Sequence, residues 1–172
     1  WLDKYGRLIC EAWGLTETSP WATYNHETEY VYDSVGTAIE NVEIGIVDEN
    51  RNRLRPNEIG EIIVRGPNVF QGYLDDPEAT RNALRDGWFF TGDIGKINER
   101  GYLSVFDRKN DSYKVSGFFV CPRDIEKCIS KHLGNRIQEV AVIGVPDEEK
   151  GKTSLAFVVT ADPTLTELEI CE

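Results

Sequence analysis

The sequence predicts an α+β protein in two parts: a small antiparallel β-barrel or sandwich over roughly residues 30–107, then a smaller α+β unit. Two observations carry this. Short apolar stretches recur every ~8–12 residues, each bounded by Gly, Asn, Asp or Pro. After Asp107 the character changes: the polar run Arg108-Lys109-Asn110-Asp111 gives way to a β pair, one amphipathic helix and two more apolar stretches.

In order along the chain, Arg7 to Ala12 reads as an apolar strand running into Trp13-Gly14-Leu15-Thr16-Glu17-Thr18, with a polar loop from Ser19 to Asp33. Val42, Ile44 and Ile46 alternate with Glu43 and Gly45, and Ile62 and Val64 with Ile63 and Arg65, the period of two expected of strands. Between them Glu49 to Asn57 is a charged turn containing Pro56. Asp76-Pro77-Glu78 starts a helix, with a carboxylate cap, proline at the first position and an acid in the first turn. It should run to about Leu84, before Gly87. Short strands are expected at Trp88 to Phe90, Gly95 to Ile97 and Tyr102 to Phe106.

Beyond the polar run, Tyr113 to Val115 and Phe118 to Val120 pair around Ser116-Gly117. Pro122 opens a helix with Ile125, Cys128, Ile129 and Leu133 on one face, ending at Gly134. Val140 to Val145 and Ser154 to Thr160 read as buried strands. Thr166 and Glu169 have capping-box spacing.

The 172 residues carry 30 acids against 19 Lys plus Arg, a formal charge of −11. That balance argues against a nucleic-acid binder, which must neutralise phosphates with clustered cations. No apolar run approaches the ~20 residues a membrane-spanning helix needs. No basic stretch followed by an apolar one reads as a leader. Cys10, Cys121, Cys128 and Cys171 contain no C-x-x-C pair and have only His26 and His132 beside them. Reduced thiols in a cytoplasmic protein are therefore expected rather than a zinc site. The chain starts at Trp1 and has no methionine, so a fragment of a longer protein is expected.

Three groups of residues could carry chemistry. Thr16 and Glu17 follow a strand and a glycine; a hydroxyl and backbone N–H groups there suit a phosphate oxygen, and the carboxylate suits Mg²⁺. The same Gly-x-Thr-Glu is also a common helix start with Thr as cap. Trp13 offers a flat face to a purine. Asp93, in Trp88-Phe89-Phe90-Thr91-Gly92-Asp93, stands at a tight Gly turn; its two oxygens suit paired ribose hydroxyls, or it caps its own turn. Arg108 and Lys114 suit ribose or phosphate and developing negative charge, or are surface charge. His26 reads as solvated, His132 as complementing a helix C-terminus.

Taken together, these segments resemble the adenylate-forming superfamily of acyl-CoA synthetases, 4-coumarate–CoA ligases, luciferases and peptide-synthetase adenylation domains. The residues that carry the likeness are Trp13-Gly14-Leu15-Thr16-Glu17, Gly60-Glu61-Ile62-Ile63-Val64-Arg65-Gly66 with Gly72-Tyr73, and Trp88 to Asp93 with Gly95. Gly101-Tyr102-Leu103, Asp107-Arg108 and Lys114-Val115-Ser116-Gly117 with Pro122, Ile125 and Glu126 continue it, as do Val142 to Asp147, Gly151 and Ala156-Phe157-Val158.

The resemblance implies residues 1–107 as the closing part of a large AMP-binding domain, 108–111 as a hinge, and 112–172 as a truncated, mobile small domain. It implies Thr16 at the phosphate, Glu17 on Mg²⁺, Trp13 with Gly14 at adenine, and Asp93 with Arg108 at ribose. Asn110 falls at the hinge, Lys114 serves the second half-reaction, and Ser116 with Gly117 borders the pantetheine arm of CoA. The implied activity is an ATP-dependent, AMP-forming acid–CoA ligase with ATP, Mg²⁺, CoA and a carboxylic acid as reactants. The rivals are a non-catalytic nucleotide- or protein-binding module of the same fold and a luciferase-like oxygenase. Gly-Leu-Thr-Glu and Asp-Arg look more like the CoA ligases than the peptide-synthetase domains. Trp13, Asn110 and Tyr113 depart from the usual Tyr, Asp or Lys, and aliphatic residue. A Ser/Thr/Gly-rich loop with lysine and a late Gly-Lys motif are not among the 172 residues. The isolated chain is therefore expected to be inactive, because the remainder of its own large domain is expected to be missing.

Overall fold

A computed structural model describes residues 2–116 and 118–171, with only the backbone of residues 168 and 171. The chain divides into two compact units, Trp1–Val105 and Phe106–Glu172.

The first unit opens with a single helical turn, α1 (Leu2–Tyr5), and a three-stranded sheet of two-residue strands: β1 (Ala12–Trp13), β2 (Thr23–Tyr24) and β3 (Thr37–Ala38), in the order β1-β2-β3. The strand expected from Arg7 is thus confined to its last residue and Trp13. Only Ala12 and Trp13 find a pairing neighbour, at Tyr24 and Thr23, and apolar character alone does not make a strand without one. The expected polar loop is closed on itself by Asn25, which is fully buried. Its amide donates to the carbonyls of Val31 at 2.9 Å and Ser34 at 3.1 Å and accepts from the Val31 N–H.

The main sheet is curled and antiparallel. β4 (Glu43–Val47) pairs with β5 (Gly60–Arg65), which pairs with β7 (Trp88–Ile97); β6 (Leu84–Arg85) and β8 (Leu103–Arg108) both lie against β7. The barrel-like part expected from strand spacing takes this form. Helix α2 (Pro77–Ala83) starts as expected, Asp76 Oδ1 accepting from the Ala79 N–H at 2.8 Å. Ala22, Val42, Ile46, Ile62, Val64 and Leu103 form the core, with Trp13, Ile44 and Val105 packed on it.

One expectation fails instructively. Trp88 to Phe90 and Gly95 to Ile97 are one ten-residue strand, and Thr91-Gly92-Asp93 is a bulge inside it. Glu61 opposes Ile94 and Ile63 opposes Phe90, so Ile62 alone faces three residues of β7. Gly92 has φ +70°, the left-handed region that costs a glycine little. Side chains then replace the lost ladder. Thr91 Oγ1 donates to the Ile62 carbonyl at 2.8 Å and accepts from the Asp93 N–H at 3.0 Å, and the Gly92 N–H donates to Glu61 Oε1 at 3.2 Å. A glycine after an aromatic strand signals a bulge as well as a turn; the partner strand decides which.

The second unit holds a short hairpin, β9 (Tyr113–Val115) with β10 (Phe118–Val120), then α3 (Pro122–Leu133) and a long hairpin, β11 (Glu139–Asp147) with β12 (Gly151–Val159). Ile129, Leu133 and Val142 are its buried centre, joined by Ile125, Val140 and Ala156. Cys128, expected on the buried face of α3, is exposed. At 100° per residue it lies well to one side of the stripe set by Ile125, Ile129 and Leu133. β11 and β12 are not buried strands. One face meets α3, while the other leaves Ile143, Leu155, Phe157 and Val159 between 43% and 55% exposed. Glu126 satisfies the edge of β11 by accepting from the Val142 N–H at 2.9 Å.

Tyr113, the aromatic in a usually aliphatic position, is buried with its ring over Gly144, where an added Cβ would sit 2.5 Å from the ring. Its hydroxyl donates to Ser154 Oγ at 2.7 Å. The last helix, α4 (Glu167–Cys171), carries the expected capping box: Glu169 Oε2 accepts from the Thr166 N–H and hydroxyl, both at 2.9 Å.

Candidate nucleotide-binding site

In the first unit, β1 delivers Trp13 and then turns sharply. Gly14 is required there because an added Cβ would lie 1.6 Å from the Pro20 carbonyl oxygen. The following Thr16–Thr18 forms a single 3₁₀ turn. Its fastener is Thr18, fully buried, whose hydroxyl accepts from the Leu15 N–H at 2.8 Å and lies 2.9 Å from the Pro20 carbonyl. Thr16 is therefore not the cap, and its side chain is exposed.

Glu17 is held on both sides. Its carbonyl accepts from the Phe70 N–H at 2.8 Å, and its Oε1 accepts from the Tyr73 hydroxyl at 2.8 Å. Tyr73 stands beside Gly72 in the sequence with nothing local to mark its task; the structure brings it to Glu17 across 56 residues of sequence. Tyr73 in turn packs edge-on against Phe70, centroids 4.8 Å apart, and Phe70 against buried Phe89 at 5.5 Å. An aromatic chain thus ties the Glu17 carboxylate to the sheet.

Asp93 stands at the bulge of β7, only 7% exposed, and Oδ2 accepts from the indole N–H of Trp13 at 3.2 Å. The structure therefore brings Trp13 and Asp93 together. Thr16 and Glu17 follow Trp13 on the same loop. Thr91, which seats Asp93, was also missed as a supporting residue; its place in the bulge is visible only once the strands pair.

The remaining candidates lie in the second unit. Arg108 closes β8 with its side chain exposed, and its N–H donates to Asp107 Oδ1 at 2.9 Å. The Asp107 side chain is 3% exposed and faces the Arg123 guanidinium at 3.6 Å. Asn110 follows in the turn closed by Asp111 and Ser112 N–H donors to the Arg108 carbonyl. Lys114 is exposed on β9, and Ser116 turns the hairpin at φ +49°, its N–H donating to the Lys150 carbonyl at 3.1 Å. Gly117 lies outside the described residues. Among the described residues no helix is long and apolar enough to cross a membrane.

Known proteins fit this arrangement. The family profile of AMP-binding enzymes matches residues 1–74, and that of the AMP-binding enzyme C-terminal domain matches residues 124–172. The long-chain-fatty-acid–CoA ligase of Salmonella typhimurium is 41% identical over 168 residues, covering 97% of this chain, and that of Bacillus subtilis is 40% identical over 160 residues, covering 90%. The chain spans 30% and 27% of the length of those relatives. Among solved structures, ATP-bound MatB from Rhodopseudomonas palustris superposes with TM-score 0.83 at 39% identity over 99% of this chain and 34% of its own. The o-succinylbenzoate–CoA synthetase of Bacillus subtilis, in complex with its acyl-adenylate, gives 0.83 at 29% identity over 95% of this chain and 34% of its own. With two family profiles matched in the expected order and this likeness running through nearly all of the sequence, the chain belongs to the AMP-binding enzymes of the adenylate-forming superfamily.

Proposed function

We propose that this chain belongs to an ATP-dependent, AMP-forming ligase that joins a fatty acid to CoA. The observation that carries the reading is identity of about 40% along nearly the whole chain with long-chain-fatty-acid–CoA ligases. A buried carboxylate beside an indole at the bulge of β7 supports it. In the first half-reaction a carboxylate oxygen of the acid attacks the α-phosphorus of ATP and pyrophosphate leaves. In the second, the CoA sulfur attacks the acyl carbonyl and AMP leaves with the electron pair. Adenylation turns a carboxylate, a poor electrophile, into an anhydride with a good leaving group.

Residue roles follow from chemistry and position. Trp13 and Gly14 meet adenine, Thr16 a phosphate oxygen, and Asp93 and Arg108 the ribose hydroxyls. Residues 108–111, with Asn110, act as the hinge between a large domain ending at 107 and a small domain from 112. Lys114 offsets charge in the thioester step, and Ser116 with Gly117 lines the pantetheine path. Glu17 fits a Mg²⁺ site: this ion takes one or two carboxylates and fills its shell with water and substrate phosphates, and Oε1 already has its rotamer fixed by Tyr73. When bound, Mg²⁺ supplies neutralisation of phosphate charge. The setting is cytoplasmic, consistent with free thiols at Cys10, Cys121 and Cys128. The oxygenase and non-catalytic rivals are not favoured by relatives that are named as ligases and synthetases.

The test is palmitate-dependent ATP–pyrophosphate exchange followed by palmitoyl-CoA formation in the whole protein. Exchange that ignores the acid overturns the reading. The 172-residue chain alone should show no exchange, because neither lysine-bearing phosphate motif lies within it.

A further inference from the structure

Trp13 is the donor half of an interaction that the function above leaves without a task. Its backbone is fixed first: the N–H donates to Thr23 Oγ1 at 3.3 Å, and the carbonyl accepts from the Ala22 N–H at 2.9 Å. Its side chain packs on the core around Ala22 and Val42. Asp93 is fixed as firmly from the other side, its N–H on Thr91 Oγ1 and Thr91 on the Ile62 carbonyl. Two elements, 80 residues apart in sequence, are joined by the indole N–H on Oδ2 at 3.2 Å. The indole nitrogen only donates, and an ionised carboxylate only accepts, so the bond is charge-assisted and of one polarity.

We propose that Trp13 is a positioning residue for the sugar end of the nucleotide: its indole N–H sets the rotation of the Asp93 carboxylate, and through it the recognition of the ribose hydroxyls. This rests on the reading of Asp93 as the ribose ligand. It is separate from any stacking of the indole face, because the edge N–H and the ring face are different surfaces of one side chain. The contact makes the purine end and the sugar end of the site interdependent. A side chain that keeps a flat face without the N–H would hold adenine and lose discrimination at the sugar.

The test compares AMP with 2′,3′-dideoxy-AMP by titration calorimetry on the whole protein. In the wild type AMP binds more tightly than the dideoxy analogue. Trp13→Phe keeps an aromatic face and removes the donor; any stacking lost weakens both nucleotides alike, and beyond that AMP should lose affinity selectively, narrowing the AMP-to-dideoxy preference about tenfold, the scale of a hydrogen bond to a charged group. In an Asp93→Asn background the same substitution should change the preference no further. Retained dideoxy binding shows that the variant site is folded. If Trp13→Phe weakens both nucleotides by one factor, or abolishes both, the indole only stacks or supports the fold, and the inference is overturned. A wild type that binds both nucleotides equally removes the ribose role of Asp93, and one that binds neither removes the nucleotide reading itself; each overturns the inference at a different level.

Discussion

The sheet of the first unit and the long hairpin of the second are written in the same apolar alphabet and bury it differently. Along β5, Ile62, Ile63 and Val64 are all 3% exposed or less, so consecutive residues on opposite faces are both covered. Along β11 and β12, Val142 is buried but its neighbour Ile143 is 47% exposed, and Phe157 and Val159 stand open beside it. A period of two tells which residues share a face, not how many faces are covered. In the first unit the curl of the sheet and its loops supply the second cover. In the second, α3 supplies one only.

The largest effect that sharpens this contrast is expected from matched truncations. Ile62→Ala removes a fully buried branched side chain and should cost about 3–4 kcal/mol; Phe157→Ser, on the open face, should cost less than about 1 kcal/mol and raise solubility. All four tryptophans, 1, 13, 21 and 88, belong to the first unit. Tryptophan fluorescence in urea therefore follows that unit, and circular dichroism at the second transition follows the other. Equal losses from the two substitutions would break the contrast.

Next in size is Gly144→Ala. The new methyl would meet the Tyr113 ring at 2.5 Å, so the second unit should lose about 1–3 kcal/mol through overpacking. Pairing it with Tyr113→Leu should restore most of that loss; absence of rescue would mean that the ring does not set the requirement for glycine.

The smallest effect is electrostatic and confined to the second unit. Arg136 holds Asp162 at 2.7 Å and Glu169 at 2.9 Å. Hydrogen bonds from Thr164 and then Arg136 lower Asp162 from 3.8 to about 2, and those from Arg136 and then Thr166 lower Glu169 from 4.5 to about 2. Both carboxyls are depressed in the folded state, so their contribution is full above about pH 5 and is lost as pH falls towards 2. Arg136→Met should flatten the acid limb of the second unit's melting temperature between those values, and raised salt should mimic it in part, since the pairs are solvent-screened. An acid limb unchanged by the substitution would refute the assignment.

The sequence disclosed most where a local rule acts alone. The Asp76 cap and the Thr166–Glu169 box each join residues three apart, the Pro122 start needs one residue alone, and each formed as expected. It misled where the answer depends on a partner strand. Thr91-Gly92-Asp93 satisfies the rule for a turn, yet β5 runs past it and makes it a bulge. Cys128 was one helical step off a face that only the position of β11 defines. At the site, Trp13, Thr16, Glu17 and Asp93 stood out because their residue types suit nucleotides. Tyr73 and Thr91 did not, since their work is done on partners 56 and 29 residues away, the Glu17 carboxylate and the Ile62 carbonyl.

The bulge of β7 has a consequence for motion. Asp93 hangs from Thr91, and Thr91 is seated on the carbonyl of Ile62, which is itself fully buried. The carboxylate thus inherits the stillness of the sheet's interior, unlike a group carried on a surface loop. A ligand hydroxyl arriving there meets an acceptor that is already ordered, so little conformational entropy remains to be lost on contact. Amide exchange at Gly92 and Asp93 should accordingly be as slow as in the surrounding strands, with or without nucleotide.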